Sequence, residues 1–386
     1  MRVLVAFDKF KDALTASEAC EIAVRVLREK HPDWQLDLCP LSDGGDGFEH
    51  VLSTAVGGHH VSRQATGPRG GMVEAGLAFV PKNRIPAAAL ALLEFAPGAD
   101  GESTLAIIEM ATASGLALLP PGQRTPWETT SRGTGQLIKA AVELGAKSIV
   151  LGVGGSATHD LGVGALTALG YEFRDAAGNP LRPPTPARWE QVARIDGTAP
   201  ASLPPIAIAC DVTNPLLGPK GAAAVFAPQK GLHADELSAL ENASERMAHL
   251  LCTHCHQPLT LPNAPGSGAA GGIAFGLVCA ARAKLVPGFT FVSDWLSLDT
   301  RIAQADLIIT GEGRFDSSSL GGKGPGALLT KALSARKRVQ LFAGLIAAST
   351  THDLLTLHEI TPTDVPLDRA LREASSHLSR SLQRAF

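Results

Sequence analysis

The chain has 386 residues, 45% of them hydrophobic and 18% charged, a balance that suits a folded protein with a large core and two or three domains. Thirty-seven acids against 34 bases leave a net charge of −3, which excludes recognition of nucleic acid or an anionic membrane by bulk charge. With 13 Phe, 4 Trp and 1 Tyr there is little from which to build a base-stacking platform.

Taken in order, Val3 to Ala6 reads as a buried strand, too short for the apolar run of a secretory signal. Thr15 with Glu18 is a capping box, and Ala19, Ile22, Ala23 and Val26 form the apolar stripe of the helix it opens, ended by Pro32. Leu36 to Leu38 is a second strand. It runs into Ser42-Asp43-Gly44-Gly45-Asp46-Gly47, and a helix follows through Val56. Ser148 to Val153 is a strand ending at Gly154-Gly155-Ser156, and Ile206 to Ala209 is one ending at Cys210-Asp211. Leu307 to Thr310 leads into a loop, Gly311-Glu312-Gly313-Arg314, and Val339 to Ala343 is the last core strand. Helices are expected over 133–144, 162–169, 235–251, 268–281, 324–334 and 367–384. Strands alternating with helices predict an α/β fold with mostly parallel sheet. The longest apolar run, Gly271 to Ala281, stops at Arg282, short of the roughly 18 residues of a membrane span. Six irregularly spaced cysteines are no disulfide framework, so the expectation is a cytoplasmic chain.

In open α/β sheets ligands bind beyond the carboxyl ends of the strands. Here those ends carry Asp8, Asp43, Gly154-Gly155-Ser156, Asp211 and Gly311-Glu312-Gly313. Five such ends point to a site that handles phosphates and a metal. Gly152-Val-Gly-Gly-Ser-Ala-Thr158-His-Asp160 lies between a strand and a helix, where backbone N–H groups and the helix N-terminus can face an anion. The alternative is a tight turn with an N-cap. Ser131-Arg-Gly-Thr-Gly135 is a second glycine-rich helix entry, either an anion site with Arg132 or plain capping. Thr310-Gly-Glu-Gly-Arg-Phe-Asp316 followed by Gly321-Gly-Lys-Gly324 gathers Glu312, Arg314, Asp316 and Lys323, the residue types that phosphoryl transfer needs, or else makes a solvated loop with internal ion pairs. Asp43 is either a metal ligand or a helix N-cap. Cys252-Thr-His-Cys255-His256 has the spacing of haem attachment, yet that chemistry goes with exported chains. As a zinc site it lacks a second ligand pair, and its plain reading is a helix end and exposed loop.

An ordered set of motifs resembles the bacterial glycerate kinases of the two-domain type. It comprises Asp8-x-Phe10-Lys11-x-x-Leu14, Asp43-Gly-Gly-Asp-Gly47, Thr66-Gly-Pro68, Ile108-Glu-Met-Ala-x-Ala-Ser-Gly-Leu116 and Gly133-Thr-Gly135. It continues with Gly154-Gly-Ser-Ala-Thr-x-Asp160, Ala209-Cys-Asp-Val-x-Asn-Pro-Leu216, Pro228-Gln-Lys-Gly231, Gly268-Ala-Ala-Gly-Gly272 and Thr310-Gly-Glu-Gly-Arg-x-Asp316. Lys9, Asp12, Asp46, His159 and Leu161 stand where that family usually has Ser, Gly, Glu, Asn and Gly.

The resemblance implies an α/β domain formed by residues 1–62 with 292–386, and a second α/β domain, 63–291, inserted into it. It also implies a kinase that passes the γ-phosphate of ATP to D-glycerate, giving 2-phosphoglycerate and ADP, with Mg²⁺ as cofactor. On that reading Gly154, Gly155, Ser156 and Thr158 cradle phosphates, and Asp160, Gly133, Thr134 and Asp8 complete the substrate and nucleotide contacts. Asp211 and Asp316 hold the metal or orient the hydroxyl of the sugar acid. Lys11, Arg314 and Lys323 neutralise the glycerate carboxylate and γ-phosphate, and Asp316 or Asp43 accepts the hydroxyl proton. Two rival classes are an NAD-dependent hydroxyacid oxidoreductase, opposed by the missing G-x-G-x-x-G, and a non-catalytic small-acid-binding protein.

Overall fold

The computed structural model describes all residues except Asp43, Ser318, 320–323 and Ser349. Its strands are β1 (Arg2–Phe7), β2 (Gln35–Leu38), β3 (His59–Thr66), β4 (Met72–Pro81), β5 (Thr104–Glu109), β6 (Ser148–Gly152), β7 (Glu172–Arg174), β8 (Arg194–Asp196), β9 (Ile206–Ala209), β10 (Lys284–Val286), β11 (Leu307–Phe315), β12 (Arg338–Ile346) and β13 (Leu355–Glu359). Two compact units result, one of Met1–Asp43 with Phe289–Phe386, the other of Gly44–Gly288.

The terminal unit is built on a parallel sheet in the order β13-β12-β11-β1-β2. β1 is an interior strand covered on both faces, so Val3 to Phe7 are all buried and form one continuous apolar run. The helix Ala16–Lys30 starts at the expected capping box. The Glu18 amide donates to Thr15 Oγ1 at 3.2 Å, and the Thr15 amide donates to Glu18 Oε2 at 2.8 Å. Its apolar stripe packs on the sheet beside Leu378 and Leu382. Three expectations are revised. The Gly311-Glu312-Gly313-Arg314 run is strand, because β11 stays paired with β12 as far as Phe315 opposite Ile346. A side chain at position 311 would collide with the Phe342 carbonyl, so glycine is what lets the strands stay in register there. The helix expected over 367–384 is two, Leu367–Arg372 and Ala374–Ala385, and β13 is an additional edge strand.

The central unit carries a six-stranded sheet, β10-β9-β6-β5-β4-β3. β5, β6, β9 and β10 are parallel, while β3 and β4 run antiparallel along one edge. Ile107, Ile108, Ile149, Leu151, Ile206 and Ile208 are its buried centre. β3 is largely polar and exposed, as an edge strand can be, and it carries no buried-strand pattern to read from sequence. Contacts group residues 44–62 with this unit, although the sequence reading divides the chain after 62. The reason lies in Phe48. It opens the helix Phe48–Ala55, is fully buried, and rests on Gly152, where a Cβ would come within 2.6 Å of its ring. Among the described residues no helix is long and apolar enough to cross a membrane.

Cys252 lies in the last turn of the helix Leu237–His254 and is buried in the core, so that part of the exposed-loop reading is corrected. Cys252 and the buried Cys279 belong to the same hydrophobic core, and the partly buried Cys255 packs against it. No group of three His, Cys, Asp or Glu among the described residues is placed to hold a metal. The double variant Cys252→Ser, Cys255→Ser is therefore expected to lose about 1–3 kcal/mol of stability, because it buries a hydroxyl in place of a thiol. Elemental analysis should find no zinc in either protein. Stoichiometric zinc in the wild type that vanishes with folding in the variant would overturn the assignment.

Candidate active site

The parallel strands of the central unit end side by side, with Glu109 opposite Gly152 and Gly152 opposite Ala209. Beyond that edge lie the turn Gly154-Gly155-Ser156 and Asp211. The Gly44–Asp46 stretch crosses the turn, and the Gly154 amide donates to Gly44 O at 2.9 Å. A Cβ on Gly154 would collide with Gly45 Cα, so both positions need glycine for the two backbones to touch. Gly155 has φ +69°, and a Cβ there would stand 2.6 Å from Asp46 Oδ1. The Asp46 carboxylate is thus held over the turn. Glu109 Oε2 accepts from the Gly47 and Glu49 amides at 3.0 and 3.3 Å, which places its charge at the N-terminus of the helix Phe48–Ala55. Asp211 is partly exposed beside Gly288.

The far side of the turn is closed. Thr158, His159, Asp160 and Thr134 are buried, and Gly133 is packed on the Thr66 carbonyl. Asp160 Oδ2 accepts from the Ser131 amide at 2.7 Å, Ser131 Oγ at 2.9 Å and the Gly164 amide at 3.0 Å, while Oδ1 accepts from the Gly162 amide at 3.2 Å. Thr134 Oγ1 donates to Ser114 Oγ at 2.8 Å. Thr158, Asp160 and Thr134, which the sequence reading puts in contact with ligand, are thus buried, and Asp160 and Thr134 hydrogen-bond protein partners. Gly154 has likewise committed its amide to Gly44.

A residue at the turn that motif reading did not single out is Lys230. It is fully buried, and its Nζ donates to Ser156 Oγ at 2.8 Å and to Thr158 O at 2.7 Å. Burial lowers its pKa to about 7, against the pull of Asp160. Its sole sequence signal is its place in Pro228-Gln-Lys-Gly231. Because Ser156 Oγ accepts from Lys230, its own proton is left for an outside acceptor. His159 shares this interior, its Nε2 3.0 Å from Ser244 Oγ, and burial together with the nearby Lys230 lowers its pKa to about 3. Leu161 adopts φ +52°, a conformation that favours the glycine of the family pattern.

In the terminal unit Asp8 follows β1. Its amide donates to Gly311 O at 2.9 Å, and its Oδ1 accepts from the Lys9 amide at 2.7 Å. A Cβ on Gly313 would lie 3.0 Å from the Lys11 amide nitrogen, so the backbone of Lys11 borders β11, and its side chain is exposed. Arg314 Nε lies 3.2 Å from Asp316 Oδ2, and the Asp316 amide donates to Ser319 Oγ at 3.2 Å. The side chain of Asp316 is 29% exposed and that of Arg314 is 63% exposed. The paired strands β1 and β11 thus bring Asp8, Lys11, Arg314 and Asp316 to one edge. The cations suit a carboxylate or phosphate, and the carboxylates suit a proton or a hard metal ion. Asp43 and Lys323 lie outside the described residues.

The buried imidazole yields an expectation. Unfolded His159 takes up a proton near its ordinary value of 6.5, whereas the folded chain keeps it neutral down to about pH 3. The unfolded state binds more protons in that window, so His159 costs stability progressively as pH falls through it. His159→Gln should flatten the loss of melting temperature between pH 6.5 and the lowest pH at which the fold survives. Parallel curves for variant and wild type would refute it.

Residues 3–386 match the model of the glycerate kinase family. The chain is 36% identical over 388 residues to a glycerate kinase of Bacillus subtilis (strain 168), covering 99% of this chain and 96% of that one. It is 35% identical over 395 residues to a glycerate 2-kinase of Escherichia coli (strain K12), again covering 99% and 96%. Among solved structures, a protein of Salmonella typhimurium LT2 carrying the provisional name glycerate kinase 2 superposes with a TM-score of 0.75 at 36% identity, covering 100% of this chain and 97% of that one. This chain belongs to the glycerate kinase family.

Proposed function

We propose that the protein transfers the γ-phosphate of ATP to the 2-hydroxyl of D-glycerate, giving 2-phosphoglycerate and ADP, with Mg²⁺. Family membership supplies the kinase and its acceptor. The donor, the hydroxyl and the metal are our reading. The observation that carries it is the pairing of Asp316 with Arg314 at the end of β11, on the sheet edge toward which Asp8 and Lys11 follow β1. A small hydroxyacid needs a cation for its carboxylate and a carboxylate for its hydroxyl proton, and this edge offers both. The E. coli relative is named a glycerate 2-kinase, which supports the 2-position.

In this reading Arg314 and Lys11 bind the glycerate carboxylate, and Asp316 accepts the hydroxyl proton. Ser156, oriented by Lys230, donates to a phosphate oxygen of the nucleotide. Asp43 and Lys323 keep the roles of second candidate base and phosphate-binding cation. The donor set fits Mg²⁺. Nucleotide-linked Mg²⁺ takes one or two carboxylates together with waters and phosphate oxygens, so it requires no cage of three protein ligands. Asp211 and Asp316 are partly exposed oxygen donors, each beyond a strand end of its own unit, and each is a candidate to hold it. When bound, the ion neutralises charge on the transferring phosphoryl group. The oxidoreductase and non-catalytic readings have no such support.

Two measurements check this reading. Coupled detection of ADP should show release that depends on both glycerate and a divalent cation, with phosphorus NMR identifying 2-phosphoglycerate. Full turnover in excess EDTA would remove the metal from the scheme, and a 3-phosphoglycerate product would reassign the hydroxyl. Asp316→Asn is close to isosteric and should lower kcat by about 10²–10⁴-fold while ATP affinity and melting temperature stay near wild type. A near-normal kcat with a lowered melting point would make Asp316 a structural residue.

A further inference from the structure

In the Gly44–Gly288 unit a cavity of about 680 Å³ lies at the start of the helix Arg132–Glu143, and none of Gly154, Gly155, Ser156 and Asp211 lines it. That volume is within the roughly 300–1,000 Å³ of small-molecule sites. Tyr171, Phe173 and Leu181 border it, but their side chains are buried in the core and offer no face to a flat ring. What the space presents is charge, since Arg69, Arg132 and Arg182 line it.

Those charges do not balance. Arg69 Nη1 is paired with Glu128 Oε2 at 2.6 Å. Arg182 Nη2 reaches Glu172 Oε1 at 2.7 Å, yet that carboxylate also serves Arg174, and Arg174 and Arg194 share Asp196. With Arg132, five guanidiniums stand on three carboxylates, an excess of two positive charges. No carboxylate pairs with Arg132 among the described residues. Its Nη1 donates to Thr167 Oγ1 at 3.0 Å, which orients the guanidinium and leaves most of its donors unspent. Thr130 is buried and lines the same cavity, and its Oγ1 accepts from the Arg132 amide at 3.2 Å. The Thr130 hydroxyl proton has no acceptor among the described residues, and a buried donor left unpaired is costly. An oriented guanidinium without a counter-ion, beside a buried hydroxyl with a proton to give, matches the oxygens of a phosphate.

We infer that this cavity is an effector site for a phosphate dianion, free or carried by a small acid, with the phosphate on Arg132 and Thr130 and any carboxylate of the acid toward the exposed Arg182 at the rim. The two charges of the dianion offset the local excess. Thr130 and Arg132 flank Ser131, which donates to Asp160, so an occupant holds both neighbours of the residue that braces the glycine turn. The site is separate from the substrate and nucleotide contacts proposed above, and the inference does not rest on that reaction.

The test is calorimetry of inorganic phosphate and of 2-phosphoglycolate binding to the full chain, in the wild type, Arg132→Met, Thr130→Val, Arg182→Ser and Ser156→Ala. Arg132→Met should weaken both ligands about 10–100-fold, the loss typical of a charge-assisted hydrogen bond, at an unchanged melting temperature. Ser156→Ala should bind both as the wild type does. No wild-type binding, affinity unchanged in Arg132→Met, or affinity lost in Ser156→Ala overturns the inference. Should Arg132→Met fail to fold, Thr130→Val decides by the same readout: a loss of about threefold or more supports the site, and none overturns it. Tighter binding of 2-phosphoglycolate, reduced about threefold in Arg182→Ser, marks a phosphorylated acid as the occupant. Equal binding of the two ligands marks free phosphate, and either result supports the site. Asp316→Asn should bind both ligands as the wild type does, so failure of the phosphoryl-transfer reading and failure of this one are separable.

Discussion

A buried carboxylate with four hydrogen-bond donors is the constraint on which the central unit's turn depends. Asp160 collects the amides of Ser131, Gly162 and Gly164 and the hydroxyl of Ser131. Burial raises its pKa, and these donors oppose that rise. With them in place, the segment after β6 is tied to the start of the helix Arg132–Glu143. Removing one partner from such a cluster strands a buried polar group, which costs more than the bond contributes.

Lys230 and His159 show the same logic from the opposite charge. A buried lysine survives because Ser156 Oγ and Thr158 O accept hydrogen bonds from two of its N–H groups and Asp160 supplies a counter-charge. His159 meets the same low-dielectric interior by staying neutral. Rigidity at the turn follows, since a Gly-Gly-Ser segment has little intrinsic preference for one conformation. Pre-organisation of this kind allows a short hydroxyl donor to meet a phosphate without first losing its own freedom.

In the terminal unit the organising element is the parallel pairing of β1 with β11. Register places Phe7 opposite Gly311, so Asp8 and Lys11 after one strand lie toward the same sheet edge as Arg314 and Asp316 at the end of the other. The charged residues are separated by about 300 positions in sequence, and one strand pair makes them neighbours. Extension of β11 through the Gly-Glu-Gly run also places Arg314 and Asp316 at the end of a strand, where paired backbone limits their wandering more than a free loop would.

Much of the fold was legible because it rests on local physics. Thr15 with Glu18 announced a helix start, Val3 to Ala6 a buried strand, and Gly154-Gly155-Ser156 a strand-to-helix turn. Each signal lies within a few residues of what it specifies. The alternation of such segments fixed the α/β class, and the ordered motifs pointed to the family. What the sequence could not decide depends on partners far along the chain. β3 hides its identity because an exposed edge strand needs no apolar alternation. Phe48 settles the grouping of 44–62 only through Gly152. Thr158, Asp160, Gly133 and Thr134 read as ligand contacts because a hydroxyl or carboxylate beside glycines has the same letters whether it faces solvent or core. Lys230 is invisible for the converse reason: a lysine is expected outside, and only the tertiary arrangement of Ser156, Thr158 and Asp160 makes the interior a place where its charge can be held.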